Sequence, residues 1–315
     1  MTNKETVEFL RQRDHFLIIN HCRPDGDAVG SAAALCLGLR GIGKQAVIWH
    51  NPQTTRRYRP YVAGLETDTV PENATLVSVD MATENLLPLN GAQFAGKIEL
   101  SIDHHVSNEG YAAHTNVQPQ CAACGELLLT LLKELGSVSH EMANALYVAI
   151  STDTGCMRYS NVTANTLAAV AELKALGADT YPINKVMFST KTIARLRLEA
   201  ALTESVEFYA GGLVGLCSMT NALLDSLGAD TDDTDDISGF ARGIEGVEIA
   251  VMVQELREGG TKISLRTGED YNASEICRLL GGGGHKAAAG ATVQGSVAEA
   301  KEQVLQAIAQ SGVEL

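Results

Sequence analysis

The stretch HCRPDGDAVGS brings His21, Asp25 and Asp27 within seven residues, after the apolar run HFLIIN and before the small-residue segment AVGSAAALCLGL. Imidazole and carboxylates at that spacing can ligate a metal. A polar turn accounts for part of the same stretch, with Asp27 as a helix N-cap and Pro24 and Gly26 as turn formers. Such a cap leaves His21 and Asp25 without a reason, so partners elsewhere in the chain must decide. Asp80 ends TLVSVD, Asp103-His104-His105 ends IELSID, and Asp153 lies in AISTDTG after a helical run. Each alone is an ordinary turn or cap residue. Together, four Asp and two or three His on one sheet edge would concentrate like charge that cations must offset. Mixed donors of this kind suit a pair of divalent ions, Mn²⁺ above all, with Mg²⁺, Co²⁺ or Fe²⁺ as alternatives. Two ions about 3.5–4 Å apart can share a water, lower its pKa and neutralise charge as phosphorus is attacked in line. The chemistry implied is hydrolysis of a phosphoester or phosphoanhydride.

The elements that must position these residues are legible in the hydrophobic pattern. From residue 15 to about 190, the strand-like runs FLIIN, AVIW, TLVSVD and IELSID alternate with helical segments such as ELLLTLLKEL and EMANALYVAIS. That alternation predicts an α/β domain, a mainly parallel sheet flanked by helices, with sites at the carboxyl ends of its strands. The stretch 184–209 contains neither Gly nor Pro and reads as one or two helices bridging two domains. Beyond it, GLVGLCSM, VEIAVMVQEL and TKISLRT read as strands of a smaller α/β domain. ADTDDTDD is a solvated acidic loop there, and VAEAKEQVLQAIAQ is a closing helix. The expected division is a catalytic domain over 1–190, a helical linker over 191–209 and a substrate domain over 210–315. The glycines 281–284 ahead of His285 read as a flexible linker or as backbone that approaches a phosphate closely. The small residues after them favour the second reading.

Composition excludes several classes. The chain has 315 residues, enough for two cores, and its 38 acidic against 24 basic residues give a formal charge of -14. That balance disfavours a binder of long nucleic acid and leaves short anionic substrates open. No segment has the apolar length of a membrane span, and MTNKETVEFLRQRD is too polar for a secretory signal, so a cytoplasmic enzyme without a membrane partner is expected. The seven scattered cysteines read as reduced thiols. Cys121-Ala-Ala-Cys124 has redox or zinc spacing, but no second CxxC accompanies it, and it reads as a helix start.

HCRPDGDAVGS, VSVD, IDHH and TDTG closely resemble the four ordered motifs of the DHH phosphoesterase superfamily, and SLRT with GGGGHKAAAG resembles its DHHA1 substrate-binding domain. The resemblance covers nearly the whole chain. It implies an active-site cleft between a DHH and a DHHA1 domain. It would place His21, Asp25 and Asp80 on one ion and Asp27, Asp80, His104 and Asp153 on the other, with Asp80 bridging. His105 would bind the scissile phosphate or assist the leaving group, and Asp103 would orient a ligand imidazole without touching metal. Arg266, Gly282, Gly283, Gly284 and His285 would grip the substrate.

The branch resembled is the short nano-RNase type that also acts on 3′-phosphoadenosine 5′-phosphate (pAp). It implies short RNA oligonucleotides or pAp as substrate, and a homodimer is compatible with it. The alternatives are a manganese inorganic pyrophosphatase or exopolyphosphatase, which would share the DHH half, and a nucleotide-binding regulator that has lost catalysis.

Overall fold

Phe16–Ile19, FLII, is buried at every residue because both faces of its strand are covered, as continuous apolar runs require. Phe16 and Ile18 point to a core shared with Leu35, Leu39, Leu128 and Leu146, while Leu17 and Ile19 meet Trp49, Leu76, Phe94 and Ile98 on the opposite face. The computed structural model describes residues 1–314 and divides into two compact units, Met1–Thr190 and the residues from Lys191 onward.

In the first unit six strands run parallel: β1 (Phe16–Ile19), β2 (Ala46–Trp49), β3 (Glu66–Thr67), β4 (Thr75–Val79), β5 (Leu100–Asp103) and β6 (His114–Val117). Their order is β3-β2-β1-β4-β5-β6. The chain therefore reverses its direction of sheet-building between β1 and β4, and the crevice at such a switch point is where open α/β sheets bind ligands. The sequence reading found β1, β2, β4 and β5. It missed β3, which has two residues, and β6, HTNV, which lacks an apolar run.

Helices α1 (Asn3–Gln12), α2 (Gly26–Gly41), α3 (Arg59–Val62), α4 (Cys124–Leu135) and α5 (His140–Asp153) belong to this unit. The small residues of α2 have a packing reason. A Cβ on Gly30 would sit 2.3 Å from the Ala145 carbonyl oxygen, and one on Gly26 would sit 2.3 Å from Thr152 Oγ1. The two glycines thus let α5 lie directly against α2, which brings the end of α5 to the start of α2.

The second unit holds β7 (Glu207–Tyr209), β8 (Val214–Met219), β9 (Ile249–Glu255), β10 (Thr261–Thr267), β11 (Gly283–Gly284) and β12 (Ala288–Val293) in the order β11-β12-β10-β9-β8-β7. All pairs are antiparallel except β8 with β9. The stretch 184–209, read as one or two helices, forms two helical segments, Lys185–Ser189 and Ile193–Ser205, and then a strand. It breaks before Thr192, whose hydroxyl caps the helix Ile193–Ser205, and it ends as strand β7, because Val206, Phe208 and Tyr209 suit a pleated surface. Leu198 and Leu202 of that helix are buried with Cys217, Met219 and Met252 in the core of the second unit. No helix among the described residues is long and apolar enough to cross a membrane.

Gly30→Ala forces a methyl group into backbone and should lower stability by about 1–3 kcal/mol. Gly41→Ala meets nothing within 4 Å and serves as the control. Denaturant titration of both variants checks this, and equal stability of Gly30→Ala and wild type would contradict the close approach.

Candidate metal centre

Because β1, β4 and β5 are neighbours and parallel, the residues at and just past their carboxyl ends emerge on one edge: Asn20-His21 after β1, Asp80 after β4, and His104-His105 after Asp103 at the end of β5. Helix α2 adds Asp25 and Asp27 at its start, and α5 ends at Asp153. These side chains form three overlapping groups whose ligand atoms lie within 4.8 Å of one another: His21, Asp25 and Asp80; Asp27, His104 and Asp153; and Asp80, His104 and His105. His104 Nε2 is 3.4 Å from Asp80 Oδ1, 3.5 Å from Asp153 Oδ2 and 3.6 Å from Asp27 Oδ2. His21 Nε2 is 3.8 Å from both Asp25 Oδ1 and Asp80 Oδ2.

The donors suit divalent cations. Asp80 is 2% exposed and its Oδ1 has no hydrogen-bond partner among the described residues, which is costly for a carboxylate that nothing neutralises. Both imidazoles are turned to present Nε2. His21 Nδ1 donates to the Cys22 carbonyl at 2.8 Å, and His104 Nδ1 to the Cys121 carbonyl at 3.2 Å. A carbonyl on Nδ1 fixes the tautomer that leaves Nε2 as the ligand. Asp27 is held by Cys124 N at 2.6 Å and Gly125 N at 3.0 Å, the first amides of α4, and by Ser31 Oγ at 3.0 Å. The start of α4 thus aims this carboxylate.

Without cations, protons take their place. Burial, then the charges of Asp80 and Asp153, push Asp27 well above the usual carboxylate range. Burial and Asp25 raise Asp153 to about 7. Burial alone would lower His21 and His104, but Asp25 and Asp80 lift the first to about 10, and Asp80, Asp27 and Asp153 lift the second to about 11. Asp25 moves the other way. Burial would raise it, yet His21 outweighs that and lowers it to about 2.

Several details differ from the sequence reading. The N-cap of α2 is Asp25, not Asp27: Asp25 Oδ1 accepts from Asp27 N and Ala28 N, both at 3.0 Å, because the helix begins one residue after it. Asp103, expected to orient a ligand imidazole, holds the ring of His105, with Nδ1 to Oδ1 at 2.7 Å, while Cys121 turns His104. Asp103 is fully buried, and the His105 bond keeps its carboxyl low against the effect of burial. Sequence reasoning missed Asn51, whose Nδ2 donates to the His21 carbonyl at 2.9 Å, and Asn108, whose Nδ2 donates to Asp103 Oδ2 at 2.7 Å. The signal available was an Asn just past the end of β2 and another shortly after IDHH.

In the second unit, Arg266 lies on β10 opposite Ala288, and His285 exchanges backbone hydrogen bonds with Ala288 at 2.8 and 3.2 Å, so one end of the hairpin carries both residues. The glycine run has a local explanation. Gly281 has φ +75°, a Cβ on Gly282 would lie 2.2 Å from the Gly290 carbonyl, and Gly284 has φ +145°, whereas Gly283 meets nothing within 4 Å.

In metal-free protein the fold keeps a proton on Asp153 up to about pH 7, which the unfolded chain releases around its ordinary 3.8. The folded state therefore binds more protons in that window, and its stability falls as pH rises through it. His21 and His104 extend the decline from 6.5 upward, towards about 10 and 11. The melting temperature of chelator-treated protein should drop from pH 5 to pH 9, and Asp153→Asn should flatten the part below pH 7. A variant profile identical to wild type would refute the assignment.

Comparison with known proteins gives the same architecture. Residues 15–150 match the DHH family, N-terminal domain, and residues 218–311 match the DHHA1 domain. The bifunctional oligoribonuclease and PAP phosphatase NrnA of Thermus thermophilus is 33% identical over 92% of this chain and 88% of its own length. A probable bifunctional oligoribonuclease and PAP phosphatase NrnA of Streptococcus mutans is 24% identical over 91% of this chain and 92% of its own. The crystal structure of an exopolyphosphatase-related protein from Bacteroides fragilis shares the fold, with a TM-score of 0.86 at 22% identity over 98% of this chain and 95% of that one. Two domain families matched in order, together with a relative 33% identical over 92% of the chain, establish that this chain belongs to the DHH–DHHA1 phosphoesterase family.

Proposed function

We propose that the chain is a metal-dependent phosphoester hydrolase that cuts oligoribonucleotides of two to a few residues into mononucleotides and converts pAp to AMP and phosphate. One observation carries the reading: Asp80 is shared between a group of ligand atoms with His21 and Asp25 and another with His104, which suits a carboxylate that bridges two ions. The relatives named for oligoribonuclease and PAP phosphatase activity, matched over most of their length, supply the substrate class. We assign His21, Asp25 and Asp80 to one ion and Asp27, Asp80, His104 and Asp153 to the other, with Mn²⁺ as the metal. Residues 1–190 are assigned as the catalytic domain and 210–315 as the substrate domain, into which the segment 191–209 packs.

Divalent ions held there would supply Lewis acidity and positive charge against the phosphate oxygens. The chain's own residues do the rest. His105, its ring fixed by the bond from Nδ1 to Asp103, would be the donor for the scissile phosphate or the departing oxygen. Arg266 offers a forked donor set for a phosphate, and His285 with Gly282, Gly283 and Gly284 presents backbone and imidazole beside it. The charge of -14 supports short substrates over long nucleic acid. The pyrophosphatase alternative is not favoured, because the second half matches a DHHA1 domain.

Rates with Mn²⁺ on a 5′-phosphorylated ribodinucleotide, a longer RNA, pAp and pyrophosphate test this directly. The dinucleotide or pAp should be fastest, and fast pyrophosphate cleavage would overturn the reading. Asp80→Ala should lower every rate by more than about 100-fold, beyond what loss of an outer hydrogen-bond partner causes.

Arg266→Ala should raise KM for the dinucleotide about 10- to 100-fold, the scale of a charge-assisted phosphate contact, while hydrolysis of a small generic phosphodiester changes far less. Equal losses on both substrates would remove the nucleotide grip.

A further inference from the structure

Asp80 leaves β4 with φ 54°, in the left-handed region, where Asp is tolerated better than most residues but still needs fixing from outside. The fixing falls on the next residue. The Met81 carbonyl accepts two side-chain hydrogen bonds, from the Tyr111 hydroxyl at 2.9 Å and from Asn108 Nδ2 at 3.3 Å. Tyr111 Oη also lies 2.7 Å from Ser78 Oγ and 3.3 Å from Ser101 Oγ, residues paired across β4 and β5. Since the phenol proton goes to Met81, the serines donate to Tyr111. Its hydroxyl therefore ties the two strands that deliver Asp80 and the DHH motif.

Asn108 is engaged at both ends of its amide. Its Nδ2 donates to Asp103 Oδ2 at 2.7 Å as well as to Met81, and its Oδ1 accepts from Gly110 N at 2.8 Å. Asp103 in turn holds the His105 ring. A backbone bond from Glu109 N to the Ala82 carbonyl at 3.0 Å runs along the same seam.

We propose that Asn108 and Tyr111 are positioning residues that clamp the Met81 carbonyl, and through it hold the strained Asp80 in the geometry the metal pair needs. Asn108 additionally couples that clamp to Asp103 and His105. Neither side chain needs to touch metal or substrate. The clamp rests on the two-ion reading, and its test keeps the two apart.

Titration calorimetry with Mn²⁺ alone, well below each variant's melting temperature, is run beside kcat and KM on the ribodinucleotide. Tyr111→Phe and Asn108→Ala should each bind Mn²⁺ about 10-fold more weakly, the scale of outer partners of metal ligands. Asn108→Ala should also lose about 10- to 100-fold in kcat with little change in KM, because it releases His105 as well. Since both act on one carbonyl, the loss in affinity of the double variant should be smaller than the product of the single losses. Mn²⁺ affinity and kcat like those of wild type in both single variants, or a loss confined to melting temperature, would overturn the clamp if Asp80→Ala still abolishes Mn²⁺ binding. Wild-type Mn²⁺ binding by Asp80→Ala would instead sink the two-ion reading and the clamp with it.

Discussion

Mutual repulsion at one sheet edge is the constraint on which the first unit turns. Asp25, Asp27, Asp80, Asp103 and Asp153 share that edge with three imidazoles, and Asp27, Asp80 and Asp103 are almost wholly buried. Charges so placed would drive apart any loop that carried them. They stay because each is bound to something rigid: Asp80 and Asp103 to the ends of paired parallel strands, Asp27 to the amides that begin α4, and Asp153 to the end of a helix packed closely on the glycines of α2. The sheet supplies direction and the helices supply stiffness. Protons or cations then decide how much of the repulsion is felt, which makes the state of the site and the stability of the fold one quantity.

Much of this was legible in the chain. FLIIN, TLVSVD and IELSID are mostly apolar, strand-like runs ending in polar residues, and that pattern yields both the strand and the place where its ligand emerges. The partners were harder to read. Asp25 and Asp27 are both acids in one turn, and which of them caps α2 depends on where the helix starts, a matter of one residue. That His105 takes the Asp103 bond, while a backbone carbonyl takes His104, is fixed by the path of the chain after β5 and leaves no trace in residue type. Strand β6, with no apolar run, is recognised only by the pairing of β5.

The second unit shows the opposite relation between pattern and cause. A glycine run is conspicuous in sequence and invites a ligand as its explanation, but at Gly281, Gly282 and Gly284 the hairpin itself demands the absence of a side chain. A local requirement of the fold does not exclude a second use for the same backbone. It does shift the weight of the argument for substrate contact onto Arg266 and His285, whose positions the hairpin fixes through its backbone pairing.

The place of α5 in the chain has a consequence for biosynthesis. Synthesis proceeds from the amino terminus, and β1, α2, β4 and β5 emerge well before the helix that carries Asp153. Five of the six proposed ligands can meet beforehand, but Asp153 and the packing of α5 on α2 come last, so a nascent chain stalled upstream holds an open, asymmetric acid cluster. The group His21, Asp25 and Asp80 can therefore assemble early, whereas the group Asp27, His104 and Asp153 is complete only once the first unit has been translated through α5.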